Sequence, residues 1–263
     1  MNFAEVKRVY LELSNCCNLA HCHKKCPASL PKEPVFLPRK VAESALDQLG
    51  EQGYRGSVYF FVFNEPTIDP RLFVLAEYAR KRLPVSKLHV LTNGLFFNQA
   101  LMNEMFEVGI NVVEVSCYSQ AQYERLQGLW SKGGRCYIRW VREFRQDMIG
   151  IYGAEPCGVT DPCYFWTALV VSHTGMLRVC CSDYRDTIAF GDLRTESLKE
   201  LVESSKFRKL RAELSEGVRN EHVCQRCSAR TKTDGGCQVY GHTPRTVEIE
   251  ERFYKHDLHG INI

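Results

Sequence analysis

The spacing of polar and apolar positions changes repeatedly along this 263-residue chain. Val6-Lys7-Arg8-Val9-Tyr10-Leu11-Glu12-Leu13 alternates as a half-buried strand does, and Pro27, Pro31 and Pro34 keep the next segment irregular. Over 38–52 the apolar residues Val41, Ala45, Leu46 and Leu49 recur three and four apart, which predicts a helix stopped by Gly53. The same periodicities predict strands at 58–63, 87–91, 111–117 and 135–141, with helices at 70–83, 98–108 and 120–126 between them. Strands alternating with helices of this length indicate βαβ units and a parallel sheet. Five strands are too few for a closed eight-stranded barrel of ~250 residues, so an α/β fold with an open or partial (β/α) barrel is expected.

From about residue 149 the alternation stops. Gly150, Gly153, Pro156, Gly158 and Pro162 mark a linker, and a boundary is expected near residue 155. It separates a barrel over 1–155 from a small cysteine-rich unit over 156–240, with a charged tail over 241–263. Within the second unit, 167–171 and 176–179 read as a hairpin around Gly175, and 198–214 as one amphipathic helix.

With 44% hydrophobic and 25% charged residues the chain can bury a full core. Its 34 basic and 31 acidic residues are intermixed, so no nucleic-acid partner is expected. The longest apolar stretch, at 58–63, falls well short of the ~20 residues that span a bilayer, and no membrane association is expected. The N-terminal residues lack the apolar core and cleavage site of a secretory signal, which points to the cytoplasm.

That compartment changes the meaning of thirteen cysteines, because clustered thiols in a reducing environment are metal ligands or redox groups more often than a disulfide framework. Cys16, Cys17, Cys22 and Cys26 lie in one loop after the first strand; Cys163, Cys180, Cys181, Cys224, Cys227 and Cys237 form a second group. Isolated Cys117, Cys136 and Cys157 read as small buried hydrophobes. Three thiolates in one loop can hold three irons of a [4Fe–4S] cube and leave the fourth open to an outside ligand.

The order of these features carries a resemblance. Cys17-Asn18-Leu19-Ala20-His21-Cys22-His23-Lys24-Lys25-Cys26 comes after the first strand, Asn64-Glu65-Pro66 after the second, Thr92-Asn93-Gly94 after the third, and Ser116 ends the fourth. Over residues 5–237 the chain thereby resembles the radical S-adenosylmethionine (SAM) enzymes. The resemblance implies that Cys17, Cys22 and Cys26 hold a [4Fe–4S] cluster whose open iron binds SAM, and that reductive cleavage of SAM yields a 5′-deoxyadenosyl radical. It implies Asn64 and Glu65 on the SAM amino group, and Thr92, Asn93 and Ser116 on its carboxylate or ribose. The spacing here, C-x4-C-x3-C, has one residue more in each gap than the family's C-x3-C-x2-C, and Lys25 replaces the usual aromatic residue before the last cysteine. Cys16 can stand in for Cys17, and His21 and His23 read as solvent-facing loop histidines.

The second group resembles the auxiliary-cluster appendage called SPASM, or its shortened form, twitch. This implies a second [4Fe–4S] cluster on Cys163, Cys180, Cys224 and Cys227. Cys181 adjoins Cys180, and adjacent strand residues point to opposite faces, so one of the pair faces the metal; Cys181 and Cys237 are alternative ligands. A structural four-cysteine zinc site in a non-catalytic module has the same C-x2-C fork and is the rival reading.

A short barrel with one auxiliary cluster is similar to small aminocyclitol dehydrogenases. The resemblance implies oxidation of a sugar or aminocyclitol alcohol, with the auxiliary cluster accepting an electron and a flavodoxin or ferredoxin as external reductant. Peptide modification through thioether or carbon–carbon links is the second reading, which leaves a small molecule or a peptide as substrate. Radical epimerisation is the third, with Cys117, Cys181 or Cys237 returning a hydrogen atom. Arg139, Arg142 and Glu143, near the end of the fifth strand, are candidates to take the substrate's proton.

Overall fold

Tyr10 stands between two parallel neighbours, paired with Tyr59 on one side and with Val170 on the other. This register ties the cysteine-rich half of the chain to the first strand. The computed structural model describes residues 3–22, 26–30, 32–130, 135–141 and 160–227. In it, β1 (Arg8–Leu11), β2 (Ser57–Tyr59), β3 (Lys87–Thr92), β4 (Val112–Cys117) and β5 (Cys136–Trp140) run parallel, each pairing with the next. The helices α1 (Arg39–Glu51), α2 (Leu72–Arg82), α3 (Gln99–Glu107) and α4 (Gln120–Trp130) connect them in turn. β6 (Ala168–Val171) adds a sixth parallel strand beside β1, and β7 (Met176–Arg178) and β8 (Ala189–Asp192) continue antiparallel. The sheet order is β5-β4-β3-β2-β1-β6-β7-β8, an open α/β sheet with its edges at β5 and β8.

Alternation along the strands divides two cores. Val9, Val58, Val90, Val113 and Val115 pack with Leu46, Leu72, Leu75 and Met102 of the helices. On the other face, Tyr10 stacks on Tyr59 at 4.6 Å and Tyr59 on His89 at 4.5 Å between ring centroids, and this face meets the second cysteine group. α5 (Leu198–Glu203), α6 (Ser205–Ser215) and the short α7 (His222–Gln225) come after β8.

Three expectations are corrected. The strand expected over 58–63 leaves the sheet after Tyr59, since the Val62 amide donates to Asn64 Oδ1 at 3.0 Å and the Phe63 amide to Glu12 Oε1 at 3.4 Å, so side chains replace the ladder. The single helix expected over 198–214 is two: Ser204 has an extended backbone and its hydroxyl accepts from the Phe207 amide, an N-cap that restarts the helix. The hairpin around Gly175 forms, with Gly175 at φ 89°, but β6 belongs to the same sheet as the barrel strands, which therefore number six. The expected linker up to Gly158 and the boundary at residue 155, the tail over 241–263, and Arg142, Glu143, Cys157 and Cys237 lie outside the described residues.

Candidate functional site

The carboxyl ends of β1, β2, β3 and β4 converge, as ligand-binding ends of parallel sheets do. The Glu65 amide donates to the Cys16 carbonyl at 2.9 Å, which fixes the turn after β2 against the first cysteine loop. The Glu65 side chain is buried and held by four donors. Its Oε1 accepts from Thr67 N at 3.0 Å, Thr67 Oγ1 at 2.7 Å and Thr92 Oγ1 at 2.7 Å, and its Oε2 from Asn93 N at 2.6 Å. Burial raises its pKa, and these hydrogen bonds act against that shift. The three donors on Oε1 share its lone pairs, whereas Oε2 has one donor for its two acceptor directions and keeps one for a ligand.

Asn93 carries the link to the cysteines. Its Nδ2 donates to Asn18 Oδ1 at 2.6 Å and lies 3.9 Å from Cys17 Sγ, and Gln122 Nε2 holds its carbonyl at 2.6 Å. Asn64 spends its Oδ1 on the Val62 amide and is 7% exposed, while its Nδ2 is buried with no partner among the described residues. An orphaned buried donor of this kind calls for an acceptor. Beside the network lies a cavity of about 240 Å³ lined by Leu19, Asn93, Tyr118, Gln122 and Arg125.

Within the loop, burial raises the pKa of the Cys17 thiol and pushes that of Cys26 to about 12, the nearby Cys17 adding to the latter. Thiols in that state are protonated and neutral, whereas a bound metal takes them as thiolates. The Cys22 amide donates to the Leu19 carbonyl at 3.0 Å, and His21 is exposed. The structure therefore brings Cys17, Cys26, Asn64, Glu65, Thr92 and Asn93 together.

Ser116 joins from β4, where its hydroxyl accepts from Arg139 Nη2 at 3.2 Å. Arg139 Nε lies 2.7 Å from Glu114 Oε1, and Tyr137 OH donates to Glu114 Oε2 at 2.8 Å. Glu114 is buried, and desolvation raises its pKa against the pull of Arg139 and Tyr137. Cys117 is not part of this group. It shares the helix-packed face with Val113 and Val115, opposite Glu114 and Ser116, and its thiol donates to the Ser119 carbonyl at 3.3 Å. A hydrogen-donating thiol aimed at the strand-end site cannot come from there.

The second cysteine group is deeply set. Cys163, Cys224 and Cys227 are at most 9% exposed. Burial drives the Cys180 pKa well above the ordinary thiol range, with further contributions from Cys181, Cys224, Cys163 and Cys227. Cys224 is pushed up to about 12 by burial and by Cys163 and Cys227. Thiols that raise one another's pKa lie within electrostatic reach of each other. Among the described residues no three His, Cys, Asp or Glu groups lie close enough to hold a single metal ion. Cys181 is 1% exposed, and its charge is felt by Tyr10 and Arg178.

Two buried arginines here have no counterpart among the expected site residues. Arg211 donates to the Phe165 carbonyl and, at 2.9 Å, to the Val179 carbonyl; burial lowers its pKa to about 10, and Cys163, Cys180 and Cys224, within electrostatic reach, act against that shift. An iron–sulfur cube on four thiolates is anionic in its common oxidised state, and Arg211 is placed to balance it. Arg178 is fully buried, with Nη2 2.8 Å from Glu12 Oε2 and Nη1 3.5 Å from Asp186 Oδ1. Arg211 had a signal, since it interrupts the apolar stripe of Phe207, Leu210 and Leu214 on α6. The Glu12–Arg178 pair, 166 positions apart, had none.

Residues 163–228 match the SPASM family, an iron–sulfur cluster-binding domain. A curated relative, the S-adenosyl-L-methionine-dependent 2-deoxy-scyllo-inosamine dehydrogenase of Niallia circulans, is 21% identical over 232 residues, covering 84% of this chain and 92% of the relative. Among solved structures, BtrN in complex with AdoMet and 2-DOIA aligns at TM-score 0.75 and 19% identity, over 86% of this chain and 94% of that one. Native anSMEcpe with bound AdoMet and Kp18Cys peptide aligns at TM-score 0.57 and 15% identity, over 88% of each. The chain has the fold of these proteins. No helix among the described residues is long and apolar enough to cross a membrane.

Proposed function

We propose that this chain is a radical SAM dehydrogenase that oxidises an alcohol of a sugar or cyclitol. The observation that carries the reading is the single hydrogen-bonded network from Glu65 through Asn93 to Asn18, with Asn93 Nδ2 3.9 Å from Cys17 Sγ, at the strand ends of the sheet that the SPASM-matching residues extend with β6, β7 and β8. The cofactors are two [4Fe–4S] clusters and SAM. They supply a 5′-deoxyadenosyl radical at the first cysteine loop and an electron acceptor at the second.

The donor sets fit these groups. Cys17, Cys22 and Cys26 hold the first cluster, and Cys163, Cys180, Cys224 and Cys227 the second, with Arg211 balancing the charge of the latter. On SAM the free acceptor direction of Glu65 Oε2 suits the ammonium group, and Thr92 and the Asn93 amide hold that carboxylate in place. Asn64 does not suit an ammonium, because its remaining atom is a donor; its Nδ2 is assigned to the SAM carboxylate. Asn93, Tyr118 and Gln122 line the cavity assigned to the nucleoside, and Ser116 steers Arg139 on the inner face. Oxidation of an alcohol also releases the hydroxyl proton, and Glu114 with Tyr137 and Arg139 is the buried group on that face able to take it. The reductant is a small electron carrier of the flavodoxin or ferredoxin type.

The test is anaerobic reconstitution and then incubation with SAM, a flavodoxin reducing system and a panel of cyclitols, sugars and short peptides. The expected result is 5′-deoxyadenosine together with a carbonyl product in equal amounts. Reductant-dependent 5′-deoxyadenosine absent under every condition, from protein carrying about eight irons, overturns the assignment.

A further inference from the structure

A second cavity, of about 250 Å³, lies where the two halves of the molecule meet, and neither the SAM site nor the cluster ligands occupy it. Its walls include Lys32, next to the first cysteine loop, and His173, Tyr184 and Arg185 from the SPASM segment, with Glu12 and Phe63 between them. Lys32 is within electrostatic reach of Cys16, Cys17, Cys26 and Glu12. Behind the opposite wall, Arg178 is within reach of Cys180 and Cys181. The cavity thus stands between the two thiol groups, where a molecule must sit if a radical made at one is to be oxidised at the other.

Its charge is selective. Among the described residues Glu12 is the one carboxylate in the wall, and its charge is already engaged: Oε2 accepts from Arg178 at 2.8 Å and from His173 Nδ1 at 2.8 Å, and Oε1 accepts the Phe63 amide at 3.4 Å. Asp186, the next carboxylate, lies outside the wall and accepts from Ser172, Thr174 and Arg178. Arg178 therefore occupies both carboxylates from behind. Lys32, which spends one of its three donors on the Pro27 carbonyl at 3.1 Å, Arg185 and the second ring nitrogen of His173 face a ligand, since Nδ1 holding Glu12 fixes the imidazole so that Nε2 is its one remaining polar atom.

From this juxtaposition we infer that the cavity receives an oxyanion carried by the substrate, a carboxylate or a phosphate on a polyol, with the oxyanion held by Lys32 and Arg185 and a neighbouring hydroxyl of the polyol donating to His173 Nε2. The inference rests on the dehydrogenase reading for what the substrate is used for, but it departs from the curated relative. An inosamine carries an amine, whose ammonium form meets like charge at Lys32 and Arg185.

The experiment is calorimetric titration of the reconstituted protein with gluconate, glucose 6-phosphate, inorganic phosphate and glucosamine, beside the variants Lys32→Gln and Arg185→Gln, with SAM cleavage measured separately. The two oxyanion-bearing sugars are expected to bind at least tenfold more tightly than glucosamine, the tighter of them naming the group. Each variant should lose roughly five- to tenfold of that affinity, and the His173 ring signals of a 15N-histidine-labelled sample, assigned with His173→Gln, should move on titration. Equal affinity for glucosamine, or oxyanion binding that survives when Lys32→Gln and Arg185→Gln are combined in one chain, overturns the inference. SAM cleavage without an oxyanion preference sinks this assignment and leaves the dehydrogenase reading intact; an oxyanion preference lost in the variants, without SAM cleavage, does the reverse.

Discussion

The Glu65 carboxylate receives the backbone N–H of Asn93 at 2.6 Å, across 28 positions of sequence, and so locks the end of β2 to the end of β3 at the first cysteine loop. Replacing Glu65 by alanine strands the donors of Thr67, Thr92 and Asn93 and removes the acceptor assigned to SAM. SAM affinity is expected to fall by about 1.5–3 kcal/mol, the range for a charge-assisted hydrogen bond, with iron content unchanged. Equilibrium dialysis with labelled SAM reads the outcome, and unaltered affinity would move the binding site elsewhere.

Arg211 offers a test of the second cluster. Arg211→Met keeps the packing volume on α6 but removes the one cation assigned to balance the four thiolates. The variant is expected to lose about half of its iron while the N-terminal cluster and its SAM affinity persist, and Arg211→Lys should retain most of it. Iron analysis and the EPR spectrum of the reduced protein distinguish the two; full iron in Arg211→Met would show that the cluster's charge is balanced by other groups.

The roles of the two cysteine groups separate cleanly by product. Cys17, Cys22 and Cys26 replaced together by alanine should abolish 5′-deoxyadenosine. Replacing Cys163 and Cys227 should leave it forming while the carbonyl product disappears. Full turnover to a ketone by a folded protein without the auxiliary cluster would show that electron acceptance is not that cluster's task.

Glu12 gives a pH-dependent signature. Burial opposes its ionisation, but Arg178 and His173 outweigh that penalty and hold its pKa at about 2, below the unfolded value near 4.5. A carboxyl with a depressed pKa stabilises the fold above its unfolded value and loses that contribution as pH falls toward its folded one. Glu12→Gln is therefore expected to be less stable by about 3 kcal/mol at pH 6–7, and the gap to the parent protein should close between about pH 4.5 and pH 2. Urea denaturation of the metal-free protein over that range reads it; a gap independent of pH places the stabilising charge elsewhere.

How far the sequence carried the fold and the site depends on where each residue sits. The convergence of Cys17, Glu65 and Asn93 was legible because strand-end turns contain short polar motifs in a fixed order, and the alternating period placed those turns at one end of the sheet. Arg139 was named, but its partners Glu114 and Tyr137 escaped because alternation assigns residues to a face and cannot say which face is wet. Cys117 failed for the complementary reason, since one position along β4 turns a side chain from the site to the helices. Ser204 splits a helix that periodicity reads as continuous, because a hydroxyl can satisfy the amides of a new first turn. Arg178 and Glu12 meet only through tertiary structure, beyond any local pattern.

The pairing of β6 with β1 bears on modularity. Four consecutive residue pairs, from Arg8 with Ala168 to Leu11 with Val171, make the cluster-bearing half a structural neighbour of the first barrel strand. A chain cut before Ala168 would turn β1 from an interior strand into an exposed edge, with unpaired amides and carbonyls ready to recruit other chains. Grafting this auxiliary segment onto another barrel, or trimming it away to make a minimal enzyme, therefore amounts to re-engineering a sheet edge and not to exchanging a tethered accessory.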